Sequence, residues 1–555
     1  MRRENNKKLR FIALSGTTGV TENLYIYEYG RDMIVIDCGV GFPDPGMYGV
    51  DLVIPDFGYL IKNKEKLRGI VITHGHEDHL GAVPFLLDKV KVPVYASELT
   101  AGFIKEKIDD YGLKDYKLHV INPSRDVLTL GVFKLTPFRV SHSVPDALAF
   151  RVQTPVGNIF HVSDYKFDWT PVDGRPFDVA KAARLASEGV LAMASDCLGS
   201  TNPGYTKSER EIESRIEAIL EKATGQVFFT TISSNISRMQ QAINVAEKLH
   251  RKVCFIGRSV VSKAEIAKSL GQLKYPGHML VQSKQAGKLK KNEILYIISG
   301  SYGQPGSALY KVAMGEHQYL KIESADTIIF SGDPAPPGSK ANVDFLVDRF
   351  LELDTDVHYY DMQEDLHVSG HGSQEDINLL FGLVRPKYYI PIGGTIRHMR
   401  GYRLLAEQMG AEKRNVLELL PGQVVEFERD HARLGERLEV NSVLVDGLGI
   451  GDVGNVVLRD RRRLASDGIA IVILQMNKGR EKLAGDPEIL SRGFVFEKKS
   501  KDFLNQTGKV LGERLARKRM INAHQVQTEA VDFLERFFFE ETGRRPMVLP
   551  VVVEV

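Results

Sequence analysis

Residues His74-Gly75-His76-Glu77-Asp78-His79 constrain this chain more than any other stretch. Three of its fifteen histidines fall within six positions, beside two carboxylates. The stretch follows the apolar run GIVIT (69–73) and precedes the helical pattern LGAVPFLLDKV, so it is predicted to be a strand-to-helix loop. Imidazole and carboxylate are the usual nitrogen and oxygen donors to zinc. In an extended loop, residues i and i+2 point the same way, so His74 and His76 can hold one ion. Asp78 and His79, at the turn into the helix, can serve a second ion nearby. The bland alternative is a His-rich surface turn. Against it, two more strand ends fit the same place: KLTPFRVSHS carries His142 and NIFHVSD ends on Asp164. A carboxylate such as Asp164 can bridge two cations about 3.5–4 Å apart, an arrangement that activates water and clamps a phosphoryl group.

The chain has 555 residues, which at roughly 150 per domain suggests about three or four domains. Over the first 200 residues, short apolar runs alternate with Gly- and Pro-rich turns, including NLYIYEY (23–29), DMIVIDCG (32–39) and VPVYAS (92–97). These are predicted strands. From about Ser208 the pattern becomes strand–helix alternation of the α/β type. SEREIESRIEAILEKAT places Ile212, Ile216 and Ile219/Leu220 on one helix face, and QVFFTT, KVCFIG, EILYIISG and DTIIFSGD are apolar runs between helical patterns. A third change falls near Val453. After it come GIAIVILQM (468–476), GFVFEKK (493–499), helices near 503–520 and 524–541, and PVVVEV. The last helix carries Val526, Ala530, Phe533, Leu534, Phe537 and Phe538 as a 3.6-period stripe and meets a C-terminal cap at Gly543. The stretch Gly447–Gly454 (GLGIGDVG) lacks a preceding βαβ context, so it is not read as a dinucleotide site.

Composition narrows the class. Hydrophobic residues at 43% and charged residues at 26% exclude a disordered or collagen-like chain. Lys plus Arg number 73 and Asp plus Glu 71, so any nucleic-acid surface must concentrate its positive charge locally. Cys38, Cys197 and Cys254 are odd in number and far apart, giving neither a disulfide framework nor a CxxC knuckle. The apolar run Phe11 to Leu14 is too short for a signal-peptide core, and no stretch reaches a membrane span. A soluble, cytoplasmic protein that does not engage a membrane is expected.

With HGHEDHLGAVPF stand GVGFPDPGMYGVDLVIPDFGYL (39–60), SSNISRMQQ (233–241), HVSGHGSQED (367–376) and VDGLGIGDVGNVVLRDR (445–461). On these motifs and the ending TGRRPMVLPVVVEV, the chain resembles the ribonuclease J family, of the β-CASP branch of the metallo-β-lactamase superfamily, over essentially its whole length. The resemblance implies an α/β fold: an αββα metallo-β-lactamase sandwich with an inserted β-CASP domain and a small C-terminal α/β domain. The expected boundaries are 1–206 for the first part of the core, 207–365 for the insertion, 366–452 for the return segment, 453–464 for a linker and 465–555 for the closing domain. That last domain is expected to support a homodimer or homotetramer, its Phe-rich helix being alternatively internal core.

The implied activity is zinc-dependent hydrolysis of RNA phosphodiesters, 5′-to-3′ exonucleolytic and endonucleolytic, in RNA decay and maturation, leaving a 5′-phosphate and a 3′-hydroxyl. His74, His76 and His142 resemble ligands of one zinc, and Asp78 and His79 those of another, with Asp164 shared. Asp196, in AMASDCLGS, is expected to brace a metal-bound histidine, although the usual following Ser-Thr-Asn is displaced to Ser200-Thr201-Asn202. His371, in SGHG, is expected near the scissile phosphate. Asp78, Asp196 and His371 are thus the candidate catalytic residues.

Ser233, Ser234 and Asn235 precede a predicted helix start, where backbone N–H groups favour an anion. The simpler role there is helix capping. By the resemblance they contact RNA, with His367, Val368, Ser369, Gly370 and His371 as the facing wall. The basic clusters Lys284/Lys288/Lys290/Lys291 and Arg459/Arg461/Arg462/Arg463 are first read as solvated faces. Gly49, through its carbonyl, Asp51 and Asp446 match positions for a structural calcium, or are turn-capping residues.

The family also shows a histidine in a PxHGE-type turn that completes the second zinc. Here the stretch reads Pro391-Ile392-Gly393-Gly394-Thr395, and Gly393 has no donor atom. Water fills the vacant position, or the second zinc is weak, or one ion is held. His398 is not a replacement, because the family carries its own histidine there. This departure keeps open a weakly active or inactive paralogue serving as RNA-binding or scaffold subunit beside an active partner; a separate alternative is a small-molecule metallo-hydrolase of the same superfamily.

Overall fold

The computed structural model describes residues 8–333, 338–359, 366–429, 431–447, 449–477, 483–494, 497–517 and 523–555. They fall into two compact units, one running to Phe42 and from Leu52 to Val443, the other joining Pro43–Asp51 to Leu444–Val555.

The larger unit is built on two sheets packed face to face. The first has eight strands in the order His431–Arg437, Gln423–Glu428, Leu9–Ser15, Leu24–Tyr29, Asp32–Ile36, Leu67–Val71, Val94–Ala96 and Leu118–Val120. The second has six, ordered Tyr388–Ile392, Ala192–Asp196, Asn158–Val162, Leu148–Gln153, Phe133–Arg139 and Leu128–Leu130. Phe11, Tyr27 and Ile34 of the first sheet and Phe150, Ile159 and Ile390 of the second share one buried cluster between them. The outer face of the second sheet is covered by the helices Val179–Ala186, Gln374–Val384 and Ile396–Gln408 through Phe160, Leu380, Phe381 and Tyr402. This is the expected αββα sandwich. Its inner strands, such as Leu24–Tyr29 and Ala192–Asp196, are buried on both sides because both sides are covered, whereas the edge strand His431–Arg437 is largely exposed.

The insertion is a parallel five-stranded sheet in the order Lys252–Ile256, Ile294–Ile298, Val227–Thr230, Thr327–Phe330 and Asp356–His358, with its own core around Tyr296, Phe330 and Phe350. It is tied to the sandwich where the chain crosses. Arg238 is fully buried in the helix Ile236–Lys248. Its guanidinium donates to Glu209 Oε1 at 2.9 and 2.5 Å, to Ser331 Oγ at 2.7 Å and to the Leu366 carbonyl at 3.2 Å. Glu209 also faces Lys166 Nζ at 3.7 Å, two residues past Asp164. One cation thus gathers both crossing segments, 207–209 and 366–373.

In the smaller unit the parallel strands Ile469–Met476 and Met547–Glu554 pair, with Glu488–Arg492 beside them. The helices Glu497–Ala516 and Ala523–Thr542 cover that sheet. The Phe-rich stripe is internal: Val526, Ala530, Leu534 and Phe538 are buried, while Phe533 and Phe537 pack partly exposed against the same cluster. Gly543 follows with φ +69°. The span expected as a linker, 453–464, instead lies largely within the helix Asn455–Asp467, and the break between units falls earlier, at Val443/Leu444. Val50 packing with Val453 and Leu458 explains why 43–51 joins this unit. Within GFVFEKK, Val495 and Phe496 lie outside the described residues, as do 518–520 of the helix expected near 503–520.

Removing one partner of a buried ion pair typically costs about 3–5 kcal/mol. Arg238→Met should destabilise the larger unit by about that much in urea unfolding, and adding Glu209→Gln should recover part of the loss.

Candidate metal centre

The ends of strands from both sheets meet at one rim. Leu67–Val71 leads to His74 and His76, Phe133–Arg139 to His142, and Asn158–Val162 to Asp164. The parallel neighbours Ala192–Asp196 and Tyr388–Ile392 bring Asp196 and Gly393 alongside. The helix Glu77–Leu80 begins directly after His76 and carries Asp78 and His79.

His74, His76, His142 and Asp164 each point one donor atom into a common volume, as do Asp78, His79 and Asp164. His74 Nε2 lies 3.5 Å and His142 Nε2 3.6 Å from Asp164 Oδ2, and His142 Nε2 lies 3.0 Å from His76 Nδ1. In the second group, His79 Nε2 is 3.5 Å from Asp78 Oδ2 and 3.4 Å from Asp164 Oδ2. Tetrahedral zinc with nitrogen ligands at about 2.0–2.1 Å sets its donors about 3.3–3.4 Å apart, so both groups fit such an ion. His74 is buried, and among the described residues its Nε2 has no hydrogen-bond partner. An orphaned buried nitrogen costs free energy unless something else uses its lone pair. Burial, followed by the charge of neighbouring histidines, holds His74 and His142 well below the usual imidazole range, which is the neutral form that ligates.

The far side of each ring is also held. His142 Nδ1 donates to the Gly370 carbonyl at 2.7 Å, and His74 Nδ1 lies 3.0 Å from Thr73 Oγ1. His79 Nδ1 meets Asp37 Oδ2 at 2.8 Å. Asp37 is fully buried at a strand end with φ +61° and also accepts from Thr73 and Ser163. Such contacts orient ligands and tune their basicity. The sequence reading missed Asp37 and the 3.2 Å approach of Asn23 Nδ2 to His79 Nε2. The available signal was an acid closing the apolar strand DMIVID.

Asp196 braces His371 rather than one of the four clustered histidines, with Oδ2 2.7 Å from Nδ1. His371 Nε2 stands 3.8 Å from Asp164 Oδ2. Burial pushes the His371 pKa down, but the Asp196 and Asp164 carboxylates outweigh it and raise it to about 9. Gly370 sits tightly against the metal group, since a Cβ there would fall 2.7 Å from the His142 ring. Gly393, at φ +68°, has the opposite surroundings: a Cβ would meet only Asp196 Oδ1 at 3.7 Å and Asp164 Oδ1 at 3.9 Å. His398 points elsewhere and closes a capping box with Thr395 at the start of its own helix.

Asn235 caps the helix Ile236–Lys248, its side chain accepting from Arg238 N at 2.9 Å, while Ser234 is buried beside it. The bond from Arg238 to Leu366 O sets this helix start against the segment that begins the facing wall. There Val368 is buried, Ser369 Oγ accepts from His371 N at 3.1 Å, and His367 Nδ1 has no partner among the described residues. At the calcium candidate, Asp51 accepts from Gly447 N at 2.8 Å. The cation beside Asp446 is the Arg461 guanidinium, 2.5 Å from Oδ2 and 3.0 Å from the Tyr48 carbonyl. Arg463 is likewise engaged, with Glu535 and the Arg545 carbonyl. No described helix is long and apolar enough to cross a membrane.

Three family matches cover most of the chain: the metallo-β-lactamase superfamily over residues 17–188, the ribonuclease J β-CASP domain over 224–350, and the ribonuclease J C-terminal domain over 456–555. Ribonuclease J2 of Bacillus subtilis is 35% identical over 100% of both chains. Ribonuclease J 1 of Streptococcus pyogenes is 34% identical over 98% of this chain and 97% of its own. A solved Enterococcus faecalis protein of unknown function shares the fold with a TM-score of 0.51 at 16% identity, covering 77% of this chain and 100% of its own.

Burial lowers His161 to about 4 and His367 to about 3. A histidine with a depressed folded pKa binds fewer protons in the native state than in the unfolded state, so stability rises with pH between the two values. Stability should therefore fall as pH drops from about 6.5 towards 4. In urea midpoints measured across that window, His161→Gln should show a shallower pH slope than the parent; identical slopes would refute the assignment.

Proposed function

The chain belongs to the ribonuclease J family, and on that footing we propose a zinc-dependent ribonuclease with 5′-to-3′ exonucleolytic and endonucleolytic modes, acting in cytoplasmic RNA decay and maturation. It is a metal-dependent nuclease that hydrolyses RNA. The observation that carries the finer reading is the set of three donor groups that share Asp164, the third being completed by the Asp196–His371 pair.

When bound, zinc supplies water of lowered pKa, about 7, and offsets charge developing on the phosphoryl group. The rest is the work of side chains. His74, His76, His142 and Asp164 would hold one ion, and Asp78, His79 and Asp164 the other. His371 keeps its proton through Asp196 and presents Nε2 to the phosphoryl oxygens or the leaving 3′ oxygen. Ser233, Ser234 and the start of the helix Ile236–Lys248, facing His367 to His371, would receive an RNA phosphate. The products would be a 5′-phosphate and a 3′-hydroxyl. A calcium at Gly49, Asp51 and Asp446 belongs to the same proposal and would have to take Asp446 from Arg461. Assembly as a homodimer or homotetramer through the C-terminal unit, beside RNA-decay partners or a paralogue, is likewise proposed.

One observation favours a second reading. Gly393 leaves the second group short of a donor, as in a weakly active subunit that mainly binds RNA. The retained donors weigh towards turnover. The insertion matched by the β-CASP family weighs against a small-molecule hydrolase.

Asp78→Ala and His76→Ala should each abolish nucleotide release from 5′-monophosphorylated RNA while circular dichroism stays at the parent's level. Wild-type turnover in either variant would refute the ligand assignment. The parent should leave a thioester substrate intact, and rapid thioester cleavage without RNA cleavage would point to the small-molecule reading.

A further inference from the structure

We infer that the two donor groups hold their ions unequally: one ion is retained at His74, His76, His142 and Asp164, while the Asp78–His79–Asp164 position is exchangeable and fills only with free metal in the surroundings. This rests on the metal reading above and adds to it how the site is regulated.

The first group offers four protein donors. One of them, His74 Nε2, has no competing partner among the described residues. Its rings are fixed from behind by Thr73 and by the Gly370 carbonyl. It is complete without any further ligand.

The second group differs in two independent ways. It has three protein donors, one of them the shared carboxylate. Gly393, where the family resemblance expects a histidine, offers no donor; a Cβ there would meet only Asp196 Oδ1 at 3.7 Å and Asp164 Oδ1 at 3.9 Å, although the φ of +68° strains any side chain. His398 does not turn in to replace it. The second difference lies at His79. Its Nε2, the atom an ion needs, is approached at 3.2 Å by Asn23 Nδ2. The orientation of that amide is set by its nitrogen, because Asn23 Nδ2 also donates to the Asp78 carbonyl at 3.1 Å and to the Val20 carbonyl at 3.2 Å. The Tyr25 hydroxyl, with its single proton, lies 2.8 Å from Asn23 Oδ1 and 2.9 Å from the Gly16 carbonyl, to which Gly393 N donates at 2.9 Å. An ion at this position must displace the Asn23 contact and gains no donor from position 393 in exchange. Removing a residue that only orients a ligand commonly costs about 10–100-fold in metal affinity, so a missing direct donor should cost at least as much. RNA hydrolysis in this chain would then follow the free metal concentration.

The test reads metal content without RNA. The full chain is loaded with zinc, passed through metal-free buffer and assayed by plasma emission, with zinc calorimetry alongside. About one ion per chain should be retained, and a second binding phase should be at least about 10–100-fold weaker. His74→Ala or His142→Ala should lose the retained ion, whereas Asp78→Asn should keep it and lose the weak phase. Gly393→His should raise retention to about two. Circular dichroism checks that each variant is folded. Two ions retained by the parent, or loss of the retained ion in folded Asp78→Asn, would overturn the inequality while leaving a two-ion nuclease standing. A folded parent that holds no zinc would overturn both readings.

Discussion

The organisation of the larger unit turns on the Asp164 carboxylate. Its Oδ2 lies between 3.4 and 3.8 Å from nitrogens of His74, His79, His142 and His371. Desolvating a carboxylate is costly unless cations or donors surround it. Burial pushes its pKa up, yet His79 and His371 beside it outweigh that and hold it well below the usual range. Three chain segments, the loop 74–79 and those carrying His142 and His371, must therefore close on one oxygen atom. The sandwich achieves this because its strands end at a common rim, and parallel pairing sets Asp164, Asp196 and Gly393 next to one another.

The same rim joins the core to the insertion. The return segment 366–373 carries the Gly370 carbonyl against His142, His371 against Asp196, and Gly372 N bonded to the Tyr165 carbonyl at 2.6 Å. Arg238 binds the start of that segment from inside the insertion. The insertion is thus connected, through buried polar contacts and not apolar packing alone, to the groups that would meet the phosphate. A buried charge network of this kind specifies one arrangement more sharply than apolar surfaces, which tolerate sliding.

Much of this was legible in the residues themselves. The metal group was marked by its spacing, because imidazoles two apart in a loop after a buried strand have few other uses. The strands around it were marked by short β-branched runs, and the C-terminal stripe by its period. What stayed hidden depended on distant pairing. Asp37 looks like any acid at a turn until the fold sets it 2.8 Å from His79. Asp196 was expected behind a metal-group histidine, and only the return of the chain at His371 shows which ring it holds. Arg461, one of a basic run that suggested a solvated face, proves to be the cation beside Asp446. The expected linker is helical because Leu458 finds a partner in Val50, some four hundred residues upstream.

The Gly370–His142 contact also bears on synthesis. All the donors of the two groups, from His74 to Asp164, have left the ribosome long before residue 370. A nascent chain of that length carries the ion-binding side chains, but it has neither the carbonyl that orients His142 nor the imidazole that faces Asp164. On the roles proposed for these groups, hydrolytic competence waits until the inserted sheet has been made and the chain has returned to the core.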